Sequence, residues 1–423
     1  MDFDLQRARR ETPGCENIVH FNNAGAALIP QTVFNAVVGH LELEAKIGGY
    51  EAAEHQQEVV ERVYSAIAEM ISCSPEEIAI VENATHAWDM AFYSINFKPG
   101  DRILTAKAEY ASNYIAFLQV ARRTGVEIVV IPNDESGQLS LPALENAIDK
   151  KVKLIAITHI PTNGGLVNPA VAVGKIARKA GVLYLLDACQ SVGQMPINVN
   201  TIGCDILSAT GRKFLRGPRG TGFLYIRQDL IEQLEPPFLD LHAAEWTSSD
   251  NYKIRNDARR FENWETNYAG KIGLGVAVDY ALEWGLDNIQ TRINILAQQL
   301  RARLEAISGV VVQDLGKQSC GIVSFNIAGQ NHLTIKQALT DCKINVSISS
   351  LLSTRLDMEA RGHRDLMRAS VHYYNRETVD TTVPLSLAAL KAFCRLSLPT
   401  VSNTTSKPSP LVCCATNSST AVS

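Results

Sequence analysis

The stretch CDILSATGRK, residues 204–213, decides the fold, because a β-strand pattern there ends on a lysine. Lys213 opens a loop rich in glycine and proline, residues 214–221. Upstream, a second apolar run, VLYLL at 182–186, ends on Asp187. Both runs have the composition of buried strands in a parallel sheet, whose carboxyl ends meet at one edge. The sequence therefore predicts an acid and a lysine at the same edge of a sheet.

This pair of side chains predicts a site for pyridoxal 5′-phosphate. A lysine amine binds the aldehyde of that cofactor covalently, and a carboxylate faces its ring nitrogen. We assign these roles to Lys213 and Asp187, and expect Gln190 to bind the ring's phenolic oxygen. An ordinary surface lysine and a strand-end acid that caps a helix are the alternatives. We also expect Lys213 to act as the catalytic base.

Length and composition limit the remaining classes of function. A chain of 423 residues exceeds the usual size of one core, so two domains, or one large domain with an appendage, are expected. The hydrophobic fraction of 46% and charged fraction of 20% are typical of soluble globular proteins. A net charge of −4 does not favour a nucleic-acid partner. Neither a secretory signal nor 18 consecutive apolar residues occur, so we expect a cytoplasmic protein without a membrane span.

The cysteines and histidines do not have metal-binding spacing. Nine cysteines are scattered without a Cys-x-x-Cys pair, and no His-x-x-x-His pair occurs. We therefore predict no metal site, which excludes a zinc hydrolase, and we expect mostly buried thiols. Cys413 and Cys414 lie in a polar tail, where reversible acylation is an alternative to no special role.

Apolar runs alternate with helical patterns over the first two thirds of the chain. This alternation predicts an α/β fold with a mostly parallel seven-stranded sheet, covered by helices on both faces. The predicted strands are 78–82, 102–106, 127–132, 153–159, 182–187, 205–210 and 220–226. The predicted helices between them are 87–97, 112–124, 141–150 and 169–180.

The second part of the chain predicts a smaller α+β domain. Residues 235–260 have a loop composition, and one long helix is predicted over 270–304, with strands near 310–314, 321–327 and 346–349. We therefore divide the chain into an N-terminal segment that packs on the small domain, a large cofactor domain, a small C-terminal domain and a disordered tail. Their predicted limits are 1–20, 21–285, 286–397 and 398–423.

A phosphate group needs backbone N–H groups at a helix start and nearby hydroxyls. The stretch NATHA, residues 83–87, stands where a predicted strand turns into a helix, and we assign phosphate contacts to Ala84 and Thr85. A plain helix cap is the alternative for Thr85. Thr210 and Arg212 flank the lysine and are expected to close the phosphate site from the other side.

Arg368, within LMRASVHYYN at 366–375, is the candidate to bind a substrate α-carboxylate. A guanidinium does this with two parallel hydrogen bonds, and its apolar surroundings indicate an arginine that needs an anion. An internal salt bridge is the alternative. The nearby arginines at 355, 361 and 364 favour an acidic or bulky substrate, or belong to a solvated loop.

With these residues placed, the chain resembles the aminotransferase class V superfamily of pyridoxal-phosphate enzymes, in the branch of cysteine desulfurases and selenocysteine lyases. The resemblance runs from about residue 21 to about 380. It is carried by FNNAG (21–25), NAT (83–85), AEYASN (108–113), THIPTN (158–163), DACQ (187–190), TGRK (210–213), RFE (260–262) and RAS (368–370).

The resemblance implies a fold-type-I homodimer with active sites at the subunit interface. Residues 265–267 would then reach the phosphate site of the partner subunit. Within the matching motifs, Thr162 is expected to contact the cofactor and Asn23 the substrate.

Three departures from the family pattern matter. Tyr110 stands where the desulfurases stack a histidine on the cofactor ring, and a tyrosine can both stack and exchange a proton. Arg212 replaces a histidine usual before the lysine. The persulfide cysteine is expected within residues 349–363, which contain none, and Cys342 precedes the adjoining strand. Sulfur transfer through an enzyme persulfide is therefore disfavoured.

The sequence thus predicts an enzyme that acts on a small amino acid, with C–S bond cleavage of a cysteine-like substrate favoured. Lys213 would take the α-proton, and Tyr110 would assist the leaving group. An aminotransferase and an epimerase or racemase share the same early steps and remain alternatives. A non-catalytic scaffold is a more distant alternative, since the expected site residues are all present.

Overall fold

The structure, a computed structural model, describes residues 3–377. Its helices are α1 Leu5–Arg10, α2 Gln31–Ile47, α3 Gly49–His55, α4 Gln57–Ile71, α5 Ala84–Tyr93, α6 Ala111–Thr124, α7 Leu141–Ala147, α8 Ala170–Ala180, α9 Val199–Ile202, α10 Gln228–Ile231, α11 Tyr268–Trp284, α12 Leu286–Glu305, α13 His332–Asp341 and α14 Arg355–Ala360. Its strands are β1 Val19–His20, β2 Ile78–Val81, β3 Arg102–Ala106, β4 Glu127–Ile131, β5 Val152–Thr158, β6 Leu183–Asp187, β7 Ile206–Thr210, β8 Gly222–Ile226, β9 Ala244–Ser248, β10 Asn251–Ile254, β11 Val310–Val312, β12 Ile322–Ile327, β13 Ile344–Asn345, β14 Ser347–Ser350 and β15 Asp365–Ser370.

Part of the predicted C-terminal region lies outside the described residues. This applies to 378–397 of the predicted small domain, to the predicted tail 398–423, and to Cys394, Cys413 and Cys414. Within residues 3–377, no helix is both long and apolar enough to cross a membrane.

The central sheet has seven strands in the order β2-β8-β7-β6-β5-β3-β4. β8 is antiparallel to both of its neighbours, and the other pairs are parallel. Side chains alternate between two apolar clusters, with Ile155 and Ile157 in one and Leu154 and Ala156 in the other. Burial on both faces explains why the strands are continuous apolar runs. The predicted α/β fold with a mostly parallel seven-stranded sheet is confirmed.

The predicted strands of this sheet match the observed ones to within two residues at each end. The helix after β2 differs more, since it begins at Ala84 and not at the predicted residue 87. Asn83 explains the earlier start, because its side-chain oxygen accepts a hydrogen bond from His86 N at 2.9 Å and caps the first turn.

The predicted single helix over 270–304 is wrong, because the chain forms α11 and α12 with a break at Gly285. This glycine has φ of +77°, a left-handed conformation that few other residues adopt. Its N–H returns to the carbonyls of Ala281 and Leu282, which ends α11. An apolar pattern continues across the break, and for this reason the sequence reads as one helix.

The predicted loop over 235–260 contains an antiparallel hairpin, β9 with β10. Its side chains are mostly exposed, including Trp246 at 80% and Tyr252 at 52%. Because neither face is buried, the alternating apolar pattern that reveals a strand is missing.

A second, antiparallel sheet has the order β11-β12-β15-β14. It contains the predicted strands of the small domain and also β15, which was not predicted and which carries Arg368. The N-terminal segment is bound to this region, since β1 pairs in parallel with β13 through Val19 and Ile344. Farther along, Ser370 N donates to Phe21 O at 2.7 Å. The strand β1 thus forms a separate two-stranded sheet with β13, and the residue that follows it is hydrogen-bonded to the end of β15.

Candidate active site

A cavity that is partly open to solvent lies at the carboxyl ends of the central strands, where ligands bind in open α/β sheets. Nine of the eleven predicted site residues line it, so the sheet edge brings them together as expected. Its lining consists of Asn83, Ala84, Thr85, Tyr110, Asn113, Thr158, Ile160, Thr162, Asp187, Cys189, Gln190, Thr210, Arg212 and Lys213.

Asp187 ends β6 and lies beside Thr158, its register partner on β5. Its carboxylate accepts hydrogen bonds from Cys189 N at 2.9 Å and from Asn113 Nδ2 at 3.1 Å. Burial raises the pKa of this carboxyl, while the hydrogen bonds and the charge of Lys213 favour the ionised form. The arrangement supplies a buried anion at the bottom of the cavity.

Lys213 follows β7 and is only 9% exposed. Its carbonyl accepts a hydrogen bond from Arg216 N at 2.9 Å, which closes the turn after the lysine. Burial raises the pKa of the Cys189 thiol, and the charge of the Lys213 amine lowers it. The amine thus lies within the electrostatic reach of the Asp187 carboxylate.

The start of α5 forms the end of the cavity nearest to β2. Asn83, Ala84 and Thr85 line the cavity there, and the first N–H groups of a helix have no acceptor within it. Together with the helix dipole, they favour an anion. Gly222 on β8 permits the close approach, since a Cβ at this position would lie 2.8 Å from the carbonyl carbon of Asn83.

Arg368 reaches the cavity region from β15. Its Nη1 donates to Thr162 O at 2.9 Å and Thr162 Oγ1 at 2.7 Å, and its Nη2 donates to Asn22 Oδ1 at 3.3 Å. The side chain is buried, and its Nε has no hydrogen-bond partner in the described chain. No acid within residues 3–377 forms an ion pair with Arg368. Burial, followed by the charge of Arg212, lowers its pKa to about 10.

Asn23, predicted to contact the substrate, is not among the residues that line the cavity. Asn23 is fully buried, and its Nδ2 donates to Ser370 O at 2.6 Å and His20 O at 3.3 Å. Its side-chain oxygen accepts from the hydroxyl of Tyr374. Asn22, the preceding residue, is the one that contacts Arg368. We therefore propose Asn22 in place of Asn23 as the residue next to the substrate.

Arg212 lines the cavity, and its expected phosphate contact stays a prediction. Its guanidinium donates to Gly25 O, in the same turn that Arg368 touches through Asn22. Thr210 Oγ1, on the other side of the lysine, donates to Thr221 O at 3.2 Å.

Five cavity residues were not predicted as site residues: Asn83, Asn113, Thr158, Ile160 and Cys189. Thr158 could have been predicted from the sequence, because it lies at the end of the strand next to the one that ends on Asp187. Asn113 and Cys189 were inside the quoted motifs, but nothing in their residue type separates a site residue from a buried polar one.

The cavity fits pyridoxal 5′-phosphate on the chemistry of its side chains. A buried amine and a buried carboxylate share one space, and a ten-residue helix begins at its other end. Gln190 Oε1 is buried without a partner among the described residues, while its Nε2 donates to Ala24 O at 3.2 Å. An unsatisfied amide oxygen beside the cavity is the state expected of a group that has a ligand to contact.

Known proteins of the same kind cover nearly the whole chain. The family model of aminotransferase class-V proteins matches residues 19–381. A probable cysteine desulfurase of Methanothermobacter thermautotrophicus is 30% identical over 376 residues, covering 87% of this chain and 93% of that protein. An apo cysteine desulfurase from Thermococcus onnurineus NA1 superposes with a TM-score of 0.82 at 27% identity, covering 94% and 97% of the two chains.

A second similar structure is that of a cystine C–S lyase with its reaction product cysteine persulfide. It superposes with a TM-score of 0.79 at 23% identity and covers 91% of this chain and 98% of that one. At this identity the likeness concerns the fold. The family match, the relatives and the cavity agree, and the chain belongs to the aminotransferase class-V family and is an enzyme that depends on pyridoxal phosphate.

Proposed function

We propose that this enzyme cleaves the C–S bond of a cysteine-like amino acid by β-elimination and does not carry sulfur on a cysteine of its own. The observation that carries the proposal is the structure of residues 349–363. This segment holds the end of β14 and the helix α14, and it contains no thiol.

Asp357 fixes this segment beside the cavity. Its Oδ2 accepts from Asn163 Nδ2 at 2.8 Å and from Arg361 Nη1 at 3.2 Å, and the side chain is 3% exposed. Asn163 directly follows the cavity residue Thr162. Arg355 is paired with Glu359 at 2.9 Å. Two of the three arginines near this segment therefore have acidic partners, which supports a structural role for them over substrate binding.

The relatives support the choice of substrate class. The relative from Methanothermobacter thermautotrophicus is a probable cysteine desulfurase, and one protein of the same fold is a cystine C–S lyase. Both names describe chemistry at a sulfur atom attached to the β-carbon of an amino acid. C–S cleavage without an enzyme persulfide requires a base and a proton donor, and the cavity contains candidates for both.

When bound, pyridoxal phosphate supplies an electron sink for a bond broken at the α-carbon. We assign Lys213, Asp187 and Gln190 to its aldehyde, ring nitrogen and phenolic oxygen, and Ala84 and Thr85 to its phosphate. Each assignment uses the position of the side chain in the cavity.

The substrate is held and converted by three side chains. Arg368 binds the α-carboxylate, which provides the anion that its buried guanidinium lacks. Lys213 takes the α-proton, and Tyr110, at the cavity wall, gives a proton to the departing sulfur. The balanced reaction consumes one water and yields a thiol, pyruvate and ammonia.

The test is turnover of purified, cofactor-loaded protein on a panel of amino acids. The panel contains cysteine, cystine, S-substituted cysteines, cysteine sulfinate, alanine, aspartate and glutamate, each with and without a keto-acid acceptor. We expect pyruvate and a thiol from a cysteine derivative in the absence of the acceptor. Product formation only with an acceptor would establish an aminotransferase, and loss of chirality alone would establish an epimerase or racemase.

Changing each cysteine singly to serine separates direct elimination from sulfur transfer. Turnover should be largely retained in every variant, because no thiol is required. A loss of about a hundredfold at one position, with the cofactor still bound, would restore a persulfide mechanism.

We further propose that the protein is a homodimer, as the family resemblance implies. Large apolar side chains are exposed at Phe34, Leu41, Tyr50 and Trp264, of which Tyr50 is 71% exposed. Sedimentation equilibrium should give twice the chain mass of 46.3 kDa. A mass of one chain at micromolar concentration would contradict this proposal.

A further inference from the structure

Glu109 is a buried carboxylate with no role in the assignments above. It stands between β3 and α6, is 4% exposed, and does not line the cavity. A buried acid without a counter-cation is costly unless hydrogen bonds satisfy both of its oxygens. The hydrogen-bond partners of Glu109 therefore indicate its role.

Five hydrogen bonds reach this carboxylate from three elements. Oε1 accepts from Tyr110 N at 3.0 Å, Asn113 Nδ2 at 2.8 Å and Thr158 Oγ1 at 2.5 Å. Oε2 accepts from Thr105 Oγ1 and Thr158 N, both at 3.1 Å. The two backbone N–H groups and the Asn113 amide favour the ionised, acceptor-only form, while burial and the nearby Asp187 carboxylate raise the pKa of Glu109 to about 7.

Asn113 connects this acid to the cofactor site. Its Nδ2 donates to Glu109 Oε1 at 2.8 Å and to Asp187 Oδ2 at 3.1 Å. An asparagine amide can turn over, which exchanges its donor for its acceptor. When both carboxylates are ionised, which for Glu109 is the case above its pKa of about 7, only the orientation with the NH₂ group between them is favourable. Glu109 thus determines that Asn113 presents a donor to Asp187.

The second oxygen of Asp187 is held by Cys189 N at 2.9 Å. Both oxygens of the carboxylate are therefore oriented, one by the backbone and one by Asn113. Burial favours the neutral acid, and the Asn113 donor favours the charged form that a protonated ring nitrogen requires.

We propose that Glu109 is a positioning residue for the cofactor: through Asn113 it holds the Asp187 carboxylate in the orientation and charge state that bind the ring nitrogen. This inference rests on the proposed role of Asp187. Through Tyr110 N, the same carboxylate also fixes the start of α6, where the tyrosine joins the cavity wall.

The test compares Glu109→Gln with wild type by titrating the apo protein with pyridoxal phosphate. A glutamine keeps the shape but faces some of the five donors with its own NH₂ group, and it allows Asn113 to turn over. We expect the Kd for the cofactor to rise about tenfold, the equivalent of about one pKa unit in Asp187, with a changed visible spectrum. Asn113→Ser should produce the same spectral change with Glu109 intact, and it serves as the test if Glu109→Gln does not fold.

The double variant checks that the two residues act together. Glu109→Gln combined with Asn113→Ser should raise the Kd no more than Asn113→Ser alone. Glu77→Gln is the matched control, because Glu77 is also a buried acid that accepts from backbone N–H groups, at Ser74 and Gln228, but it is absent from the cavity lining. This control should leave the Kd and the spectrum unchanged.

The outcomes separate this inference from the roles on which it depends. A Kd and spectrum for Glu109→Gln within twofold of wild type would overturn the inference, as would additive effects in the double variant. If Asp187→Asn has the same Kd for pyridoxal phosphate and the same visible spectrum as wild type, Asp187 does not bind the ring nitrogen. Failure of every cysteine derivative as a substrate would overturn the proposed reaction, while an effect of Glu109→Gln on cofactor binding would still stand.

Discussion

At the scale of single residues, Arg368 shows how burial indicates a ligand. Its guanidinium is buried, its Nε has no partner among the described residues, and its Nη groups are bonded only to uncharged oxygens. A buried cation in this state gains most from an anion that arrives with the substrate. The neighbouring Asn22 and Thr162 hold the side chain in place until that happens.

Replacing Arg368 with glutamine should therefore raise KM for an amino-acid substrate by about tenfold to a hundredfold, the range expected for a lost hydrogen bond to a charged group. The cofactor should remain bound with its usual visible spectrum. Steady-state kinetics with a cysteine derivative measures KM, and the visible spectrum of the purified protein reports the bound cofactor. Arg355→Gln is the control, because Arg355 is exposed and paired with Glu359, and an equal rise in KM there would refute the assignment.

Lys213→Ala should remove the covalent link to the cofactor, so the visible absorbance of the purified protein should be lost or shifted to that of unlinked pyridoxal phosphate. Turnover should fall by at least about a thousandfold, since base and link are lost together. Lys107→Ala, a change at a half-exposed lysine after β3, should leave the spectrum unchanged. A normal spectrum in Lys213→Ala would assign the link to another lysine.

The site residues that could be predicted from sequence are those whose positions follow from strand ends. Asp187 and Lys213 follow apolar runs, so their place at the sheet edge is a direct consequence of the strands. Asn22 and Asn23 could not be separated in this way, because they are adjacent residues of one type. Only the contacts of the folded chain show that the side-chain amide of Asn23 donates hydrogen bonds to the carbonyls of His20 and Ser370.

At the scale of helices and strands, burial determined which elements were visible in the sequence. The central strands, covered on both faces, were predicted to within two residues at each end. The exposed hairpin β9–β10 lacks alternating apolar residues and was not predicted. The break at Gly285 was not predicted either, because the apolar pattern continues across it. We propose this glycine as the boundary between the large and small domains, at the predicted residue 285.

Two helical glycines offer a test of packing at this scale. A Cβ on Gly174 of α8 would lie 1.8 Å from Ile202 O at the contact with α9, whereas Gly39 of α2 has no atom within 4 Å of that position. Gly174→Ala should lower the free energy of unfolding by about 1–3 kcal/mol through overpacking. Gly39→Ala should raise it by about 0.5–1 kcal/mol, because alanine favours the helix. Urea unfolding measures both, and equal effects would show that helix propensity, not packing, dominates.

At the scale of the whole molecule, three buried histidines link stability to pH. Burial lowers the pKa of His20, His159 and His372, and that of His159 falls to about 4. Each histidine binds a proton more readily in the unfolded chain, so its contribution is complete above pH 6.5 and is lost as pH falls toward the folded pKa. Glu109 and Asp89, whose pKa values burial raises to about 7 and about 6, act in the opposite direction.

A variant isolates one histidine from these opposing contributions. Between pH 7.5 and 5.5, wild type should lose about 1.3 kcal/mol more unfolding free energy than His159→Gln, given the pKa difference of His159 between the two states. Urea unfolding at the two pH values provides the comparison, and equal losses in wild type and His159→Gln would show that His159 is not protonated on unfolding in this range.

The pairing of β1 with β13 has a consequence for the time course of synthesis. Val19 is made early and Ile344 late, yet the two are register partners. At about 5–20 residues per second, a ribosome adds the intervening chain in roughly tens of seconds. The central sheet, which ends at Ile226, is translated in full during this interval. The strand β1 therefore leaves the ribosome early but cannot pair with β13 until Ile344 has been made, after the whole central sheet.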